Sequence, residues 1–160
     1  MPNSEIIEYA KHLCGISYHW WNPLVSCCES IGPFWAEAGP EVPYEYIVRG
    51  GLNCAGFLNV ICRKFNLPIP GSIEKHIWAG GTYLWWDYFE KNNMIVPYNE
   101  NTIYKPGTIL LRPFKEARED EGHIAIVYNE TQIIHCWPEK GVVIEAPMRD
   151  YYEVAVIGFL

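Results

Sequence analysis

The sequence predicts an α+β fold in which a helix that begins with a cysteine lies on an antiparallel β-sheet. Helical periodicity belongs to the first part of the chain, before Asn99. The part after Asn99 is a run of short β-type segments joined by turn residues, a meander in which neighbours pair antiparallel.

The elements follow in order. Ser4 to about Leu13 fits a short amphipathic helix, with Ser4 as N-cap and Ile6, Ile7 and Ala10 on one side. From Gly15 to Gly51 four prolines (Pro23, Pro33, Pro40 and Pro43) among many aromatics predict irregular, wrapping structure. A helix then starts at Cys54, capped by Asn53, and runs to about Asn66, where Leu67-Pro68 and Pro70-Gly71 stop it. On that helix Cys54, Leu58, Ile61 and Phe65 form one core-facing stripe. A second helix covers Tyr83 to Lys91. Strands are expected at Thr108–Arg112, His123–Tyr128, Gln132–Trp137, Val142–Glu145 and Ala155–Phe159.

Composition narrows the class. At 160 residues the chain has the length of one domain and can bury a sizeable core. A net charge of −7 argues against nucleic-acid binding, which needs a basic face. No apolar run is long enough to span a membrane. Glu5, Glu8 and Lys11 interrupt any signal-peptide core, so the expected location is cytoplasmic, with the six cysteines reduced.

The chemistry-bearing residues are a cysteine and two histidines. Gly50-Gly51-Leu52-Asn53-Cys54 is a glycine-rich loop that delivers Cys54 to a helix N-terminus, where unpaired N–H groups and the dipole favour thiolate. In a β-strand His123, Ala125 and Val127 share one face; in the next, Ile133, His135 and Trp137 share one. A three-residue loop Asn129-Glu130-Thr131 pairs Tyr128 with Gln132 and Ala125 with His135. The two histidines are then diagonal neighbours on one face, roughly 7–8 Å apart between Cα atoms. A two-residue loop puts them on opposite faces. Cysteine with histidine partners is the equipment of nucleophilic acyl chemistry.

These segments resemble the NlpC-type cell-wall cysteine peptidases, papain-like hydrolases of bacterial peptidoglycan. The likeness rests on Asn53-Cys54-Ala55-Gly56-Phe57, on Gly122-His123-Ile124-Ala125-Ile126, on His135 and on the Lys105-Pro106-Gly107 turn, and spans about Tyr46 to Glu145. The resemblance implies a papain-like catalytic core over 46–160, with 1–45 an unassigned wrapping segment of a single domain. It makes Cys54 the nucleophile, His123 the general base and acid, and His135 the orienting third member. Tyr46 and Asn53 become candidates at the oxyanion site, and Trp137 a candidate wall of the substrate groove. The implied substrate is a peptide, or a peptidoglycan stem peptide cut beside a D-glutamyl residue, without cofactor or metal. Delivery to a cell wall then needs a phage particle, a secretion machine or lysis. Asn for Asp before the cysteine, Ala for Ser after it and Thr108 for Asp after Pro-Gly mark a divergent member.

Plainer readings apply elsewhere. Cys62 and Cys136 read as core. His12, Cys14, His19, Cys27 and Cys28 lack zinc-site spacing. Lys115 to Glu121 reads as a solvated loop, and Trp20, Trp21, Trp85 and Trp86 as core or covering residues. Two other functions fit the same residues: an intracellular thiol amidase, deamidase or acyltransferase, and a catalytically dead binding fold.

Overall fold

In a computed structural model, which describes residues 3–19, 41–73, 80–114 and 122–160, four helices accompany a six-stranded sheet. Helix α1 (Asn3–His12) buries Ile6, Ile7 and Ala10, with Glu5 in its first turn and Lys11 and His12 in its last, where each charge suits the dipole. It begins one residue before Ser4, so Ser4 is a first-turn residue and not the cap. The Asn3 amide instead donates to the Pro106 carbonyl at 2.7 Å and ties the helix to the turn before the sheet.

Helix α2 (Tyr44–Gly50) corrects the expectation of irregular structure there. Pro43 precedes it, a position where the absent N–H costs nothing. Residues 20–40, with Trp20, Trp21, Cys27 and Cys28, and residues 115–121 lie outside the described residues.

Helix α3 (Cys54–Lys64) is buried from Cys54 through Arg63, as suits a central helix covered on all sides. Its end has a local cause. Asn66 adopts φ 53°, and the N–H groups of Leu67 and Asn66 donate to the carbonyls of Cys62 (2.8 Å) and Arg63 (3.3 Å), closing the last turn before Pro68. Helix α4 (Thr82–Lys91) ends the same way at Asn93, φ 55°, and buries Trp85 stacked on Phe89.

The strands are β1 (Ile95–Pro97), β2 (Ile109–Arg112), β3 (His123–Val127), β4 (Ile133–Trp137), β5 (Gly141–Glu145) and β6 (Val154–Val156). They pair antiparallel in the order β1-β6-β2-β3-β4-β5. Strand β6 is shorter than expected, because Gly158 at φ 80° ends it; β1 was not expected at all. Period-2 alternation splits the sheet into two faces. Ile124, Ile126, Ile134 and Cys136 pack with α3, whereas Leu110, Ala125, Val127, Ile133, Tyr152 and Ala155 form a second cluster on the opposite face.

The β3–β4 hairpin has the register that its loop predicts. Ala125 opposes His135, and Tyr128 N–H donates to the Gln132 carbonyl at 2.9 Å. The Asn129 side-chain oxygen accepts from Thr131 N–H at 3.0 Å and shapes the turn. His123 and His135 therefore stand on one face.

At the free side of β5 the N-terminal segment adds a short ladder. Gly15 N–H donates to the Val142 carbonyl, and Val142 N–H to the Ile16 carbonyl, both at 2.9 Å. Two residues later the segment meets Leu52: Leu52 N–H donates to Ser17 O (3.0 Å) and His19 N–H to Leu52 O (2.9 Å). Residues 15–19 thus form a strap from the sheet edge to the loop before Cys54. Among the described residues no helix is long and apolar enough to cross a membrane.

Candidate active site

Cys54 occupies the first position of α3, and its approach is fixed residue by residue. Gly51 turns the chain at φ 73°, where a Cβ would stand 2.7 Å from the Ser17 carbonyl. The Leu52 carbonyl, already held by His19, also accepts from the Cys136 thiol at 3.0 Å. Asn53 is extended (φ −100°, ψ −178°), and its side-chain oxygen accepts from Gly56 N–H at 2.7 Å. The expected cap is thus formed, with a neutral side chain beside the sulfur.

The Cys54 sulfur meets the sheet where β3 begins, 3.6 Å from the Gly122 carbonyl. A thiol donates to that oxygen, whereas a thiolate is repelled by it. Gly122 has no room for a side chain: a Cβ would collide with the Thr82 hydroxyl group and stand 2.8 Å from the Phe114 nitrogen. His123 follows at once.

Four side chains continue from there in series. His123 Nε2 lies 2.9 Å from His135 Nδ1. His135 Nε2 lies 2.8 Å from Glu145 Oε1, and Glu145 Oε2 accepts from Lys140 Nζ at 2.7 Å. Aromatic rings enclose the pair. Trp137 is stacked on His135 (5.6 Å between centroids, 24°) and meets His123 edge-on at 5.0 Å. Tyr151 and Tyr152 lie against His123 at 5.8 and 6.2 Å, and the Arg112 guanidinium sits 4.7 Å over the Tyr151 ring. The Tyr152 hydroxyl is buried with no hydrogen-bond partner among the described residues.

Burial sets the charge states. Desolvation, reinforced by His135, pushes His123 down to about 3, so the ring is neutral at ordinary pH. Burial also lowers His135, against the pull of Glu145. Lys140 first, and then His135, hold the Glu145 carboxyl below its usual range. Cys62 and Cys136 are core thiols raised far above the ordinary range by burial, in agreement with their reading from sequence.

The structure thus brings together Cys54 and Asn53 on one side and His123, His135 and Trp137 on the other, at the start of β3. Tyr46 lies on α2 with 39% of its surface exposed, and the tyrosines whose rings pack against His123 are Tyr151 and Tyr152. Glu145 was missed as a site residue. The signal existed, because alternation on β5 puts Val143 and Glu145 on the face of His135 and Ile133, their cross-strand partners.

No family model matches the sequence, and no curated protein matches it significantly. Among solved structures, the crystal structure of the NlpC/p60 domain of peptidoglycan hydrolase SagA superposes with a TM-score of 0.55 at 18% identity, covering 99% of this chain and 100% of that one. Four described helices and an antiparallel six-stranded sheet match that neighbour in class and architecture. The chain therefore has the fold of an NlpC/p60 domain.

Proposed function

We propose that the protein is a thiol hydrolase that cleaves an amide bond of peptidoglycan stem peptides beside a D-glutamyl residue, with Cys54, His123 and His135 as its triad. The observation that carries this reading is the 2.9 Å His123–His135 contact at the strand end where Cys54 meets Gly122. His123 is a neutral base: its ring takes the Cys54 proton as the sulfur attacks the amide carbon. Backbone N–H groups of the first turn of α3 stabilise the oxyanion; losing one such donor costs on the order of 10²–10³ in rate. The C–N bond breaks as His123 returns the proton to the leaving amine. Water, deprotonated by His123, then hydrolyses the thioester and restores the thiol. The substrate class rests on the likeness to a peptidoglycan hydrolase domain and on the motifs around Cys54 and His123.

Purified sacculi incubated with wild type and with Cys54→Ala, followed by mass spectrometry of the released fragments, test the proposal. Fragments that depend on Cys54 are expected. Intact sacculi overturn the substrate; if wild type still hydrolyses small amides in a Cys54-dependent manner, the activity is that of a thiol amidase. Cys54 should also be alkylated near pH 6 faster than Cys62 or Cys136, and equal rates remove the activated nucleophile.

A further inference from the structure

We infer that Glu145 is a positioning residue which fixes the tautomers of His135 and His123 in series and leaves His123 Nδ1 as the proton acceptor. The inference rests on the proposed Cys54–His123 chemistry and adds a fourth member to it. A neutral imidazole carries one proton and can hold it on either nitrogen. Two neutral imidazoles in contact can therefore run their hydrogen bond in either direction, and only one direction suits a base. A carboxylate settles the choice because it only accepts. With Glu145 Oε1 at 2.8 Å, His135 must carry its proton on Nε2, which leaves His135 Nδ1 bare. His123 Nε2, 2.9 Å from that bare nitrogen, must then be the donor. One proton per neutral ring leaves His123 Nδ1 with a lone pair. The opposite direction puts a proton on His123 Nδ1 and disables it as a base.

The placement of Glu145 suits this task. It lies two residues beyond Val143, the cross-strand partner of His135, on the same face. Lys140, from the β4–β5 turn, occupies its second oxygen at 2.7 Å and favours the ionised form. One carboxylate oxygen is thus anchored and the other is aimed at the buried ring.

Imidazole nitrogen shifts decide the matter without any substrate. In the full-length ¹⁵N-labelled protein at neutral pH, both His123 and His135 are expected to carry the proton on Nε2. In Glu145→Ala both rings are expected to show mixed tautomers. A proton on Nδ1 of His123 in the wild type overturns the inference, and so does a single unchanged His135 tautomer in Glu145→Ala. If the alanine variant does not fold, Glu145→Leu serves, because it keeps the bulk and removes the acceptor; mixed tautomers are again expected, and an unchanged wild-type pattern is again fatal. In the cleavage assay Glu145→Ala is expected to lose about 10- to 100-fold in kcat, as partners one shell behind a functional histidine do, with KM nearly constant and partial recovery in Glu145→Gln. Unchanged kcat in both variants also overturns it. Failure of wild type to cut sacculi would count against the proposed substrate alone, since the nitrogen shifts do not depend on it.

Discussion

His123 is a histidine that the fold holds neutral, and this has a cost outside any reaction. In the unfolded chain its ring takes a proton near the ordinary value of 6.5, whereas in the folded state burial and His135 delay protonation to about 3. Between those values the unfolded state binds more protons, so stability rises with pH in that window and falls as the solution is acidified through it. The slope is about 1.4 kcal/mol per pH unit for one fully unmatched proton. His135 acts in the same direction, opposed by Glu145. Urea midpoints measured at pH 7 and pH 4.5 should show a clear loss for wild type and a smaller one for His123→Asn. Equal losses would mean that His123 titrates normally in the fold. The neutral ring also refines the picture drawn from Cys54 alone. Helix position favours the thiolate of Cys54, while the Gly122 carbonyl 3.6 Å from its sulfur favours the thiol.

The β3–β4 hairpin and the Gly122 step before it carry the geometry between elements. Because Gly122 is pressed between Thr82 and the Phe114 backbone, a methyl group there must displace α4's first turn or the main chain. Gly122→Ala is expected to cut Cys54 alkylation and substrate cleavage at least tenfold while far-UV circular dichroism stays near wild type; full activity would show that this contact yields easily. How much could be read in advance depends on where the information lay. Cys54, Asn53, His123 and His135 were legible because local rules govern them: a cap residue, a helix start, and a loop whose length fixes strand register. Helix α2 was hidden because Pro43 and its neighbours signal irregular chain, while its buried Ile47 belongs to a core that distant segments complete. The three-residue strand β1 was hidden because its pairing with β6 joins Ile95 to Val156, far along the chain. Glu145 stayed hidden for a related reason. Its alternation was readable, but its partner lies across a strand pair whose register the sequence left open.

Taken whole, the molecule ties its N-terminal segment to the turn before β2, to the loop before Cys54 and to β5. Helix α1 is fixed to the Pro106 turn by Asn3, and α3 sits in the middle of the main core. The strap of residues 15–19 links the loop before Cys54 to β5, so the nucleophile and the strand that bears Glu145 share one fastening. The strap has a second effect, on how copies of the chain meet. Strand β5 is the last in the sheet, and Val142 satisfies its outward N–H and carbonyl with Gly15 and Ile16. Without the strap those groups become a template for a strand from another molecule. A Gly15→Pro variant, which removes the donor to Val142 and cannot adopt φ 92° yet keeps the core residues of α1, is therefore expected to elute from size exclusion as multimers that grow with concentration; elution as a monomer at all concentrations would show the edge to be harmless. The segment that steadies the nucleophile loop would then also be what keeps one copy from annealing to the next.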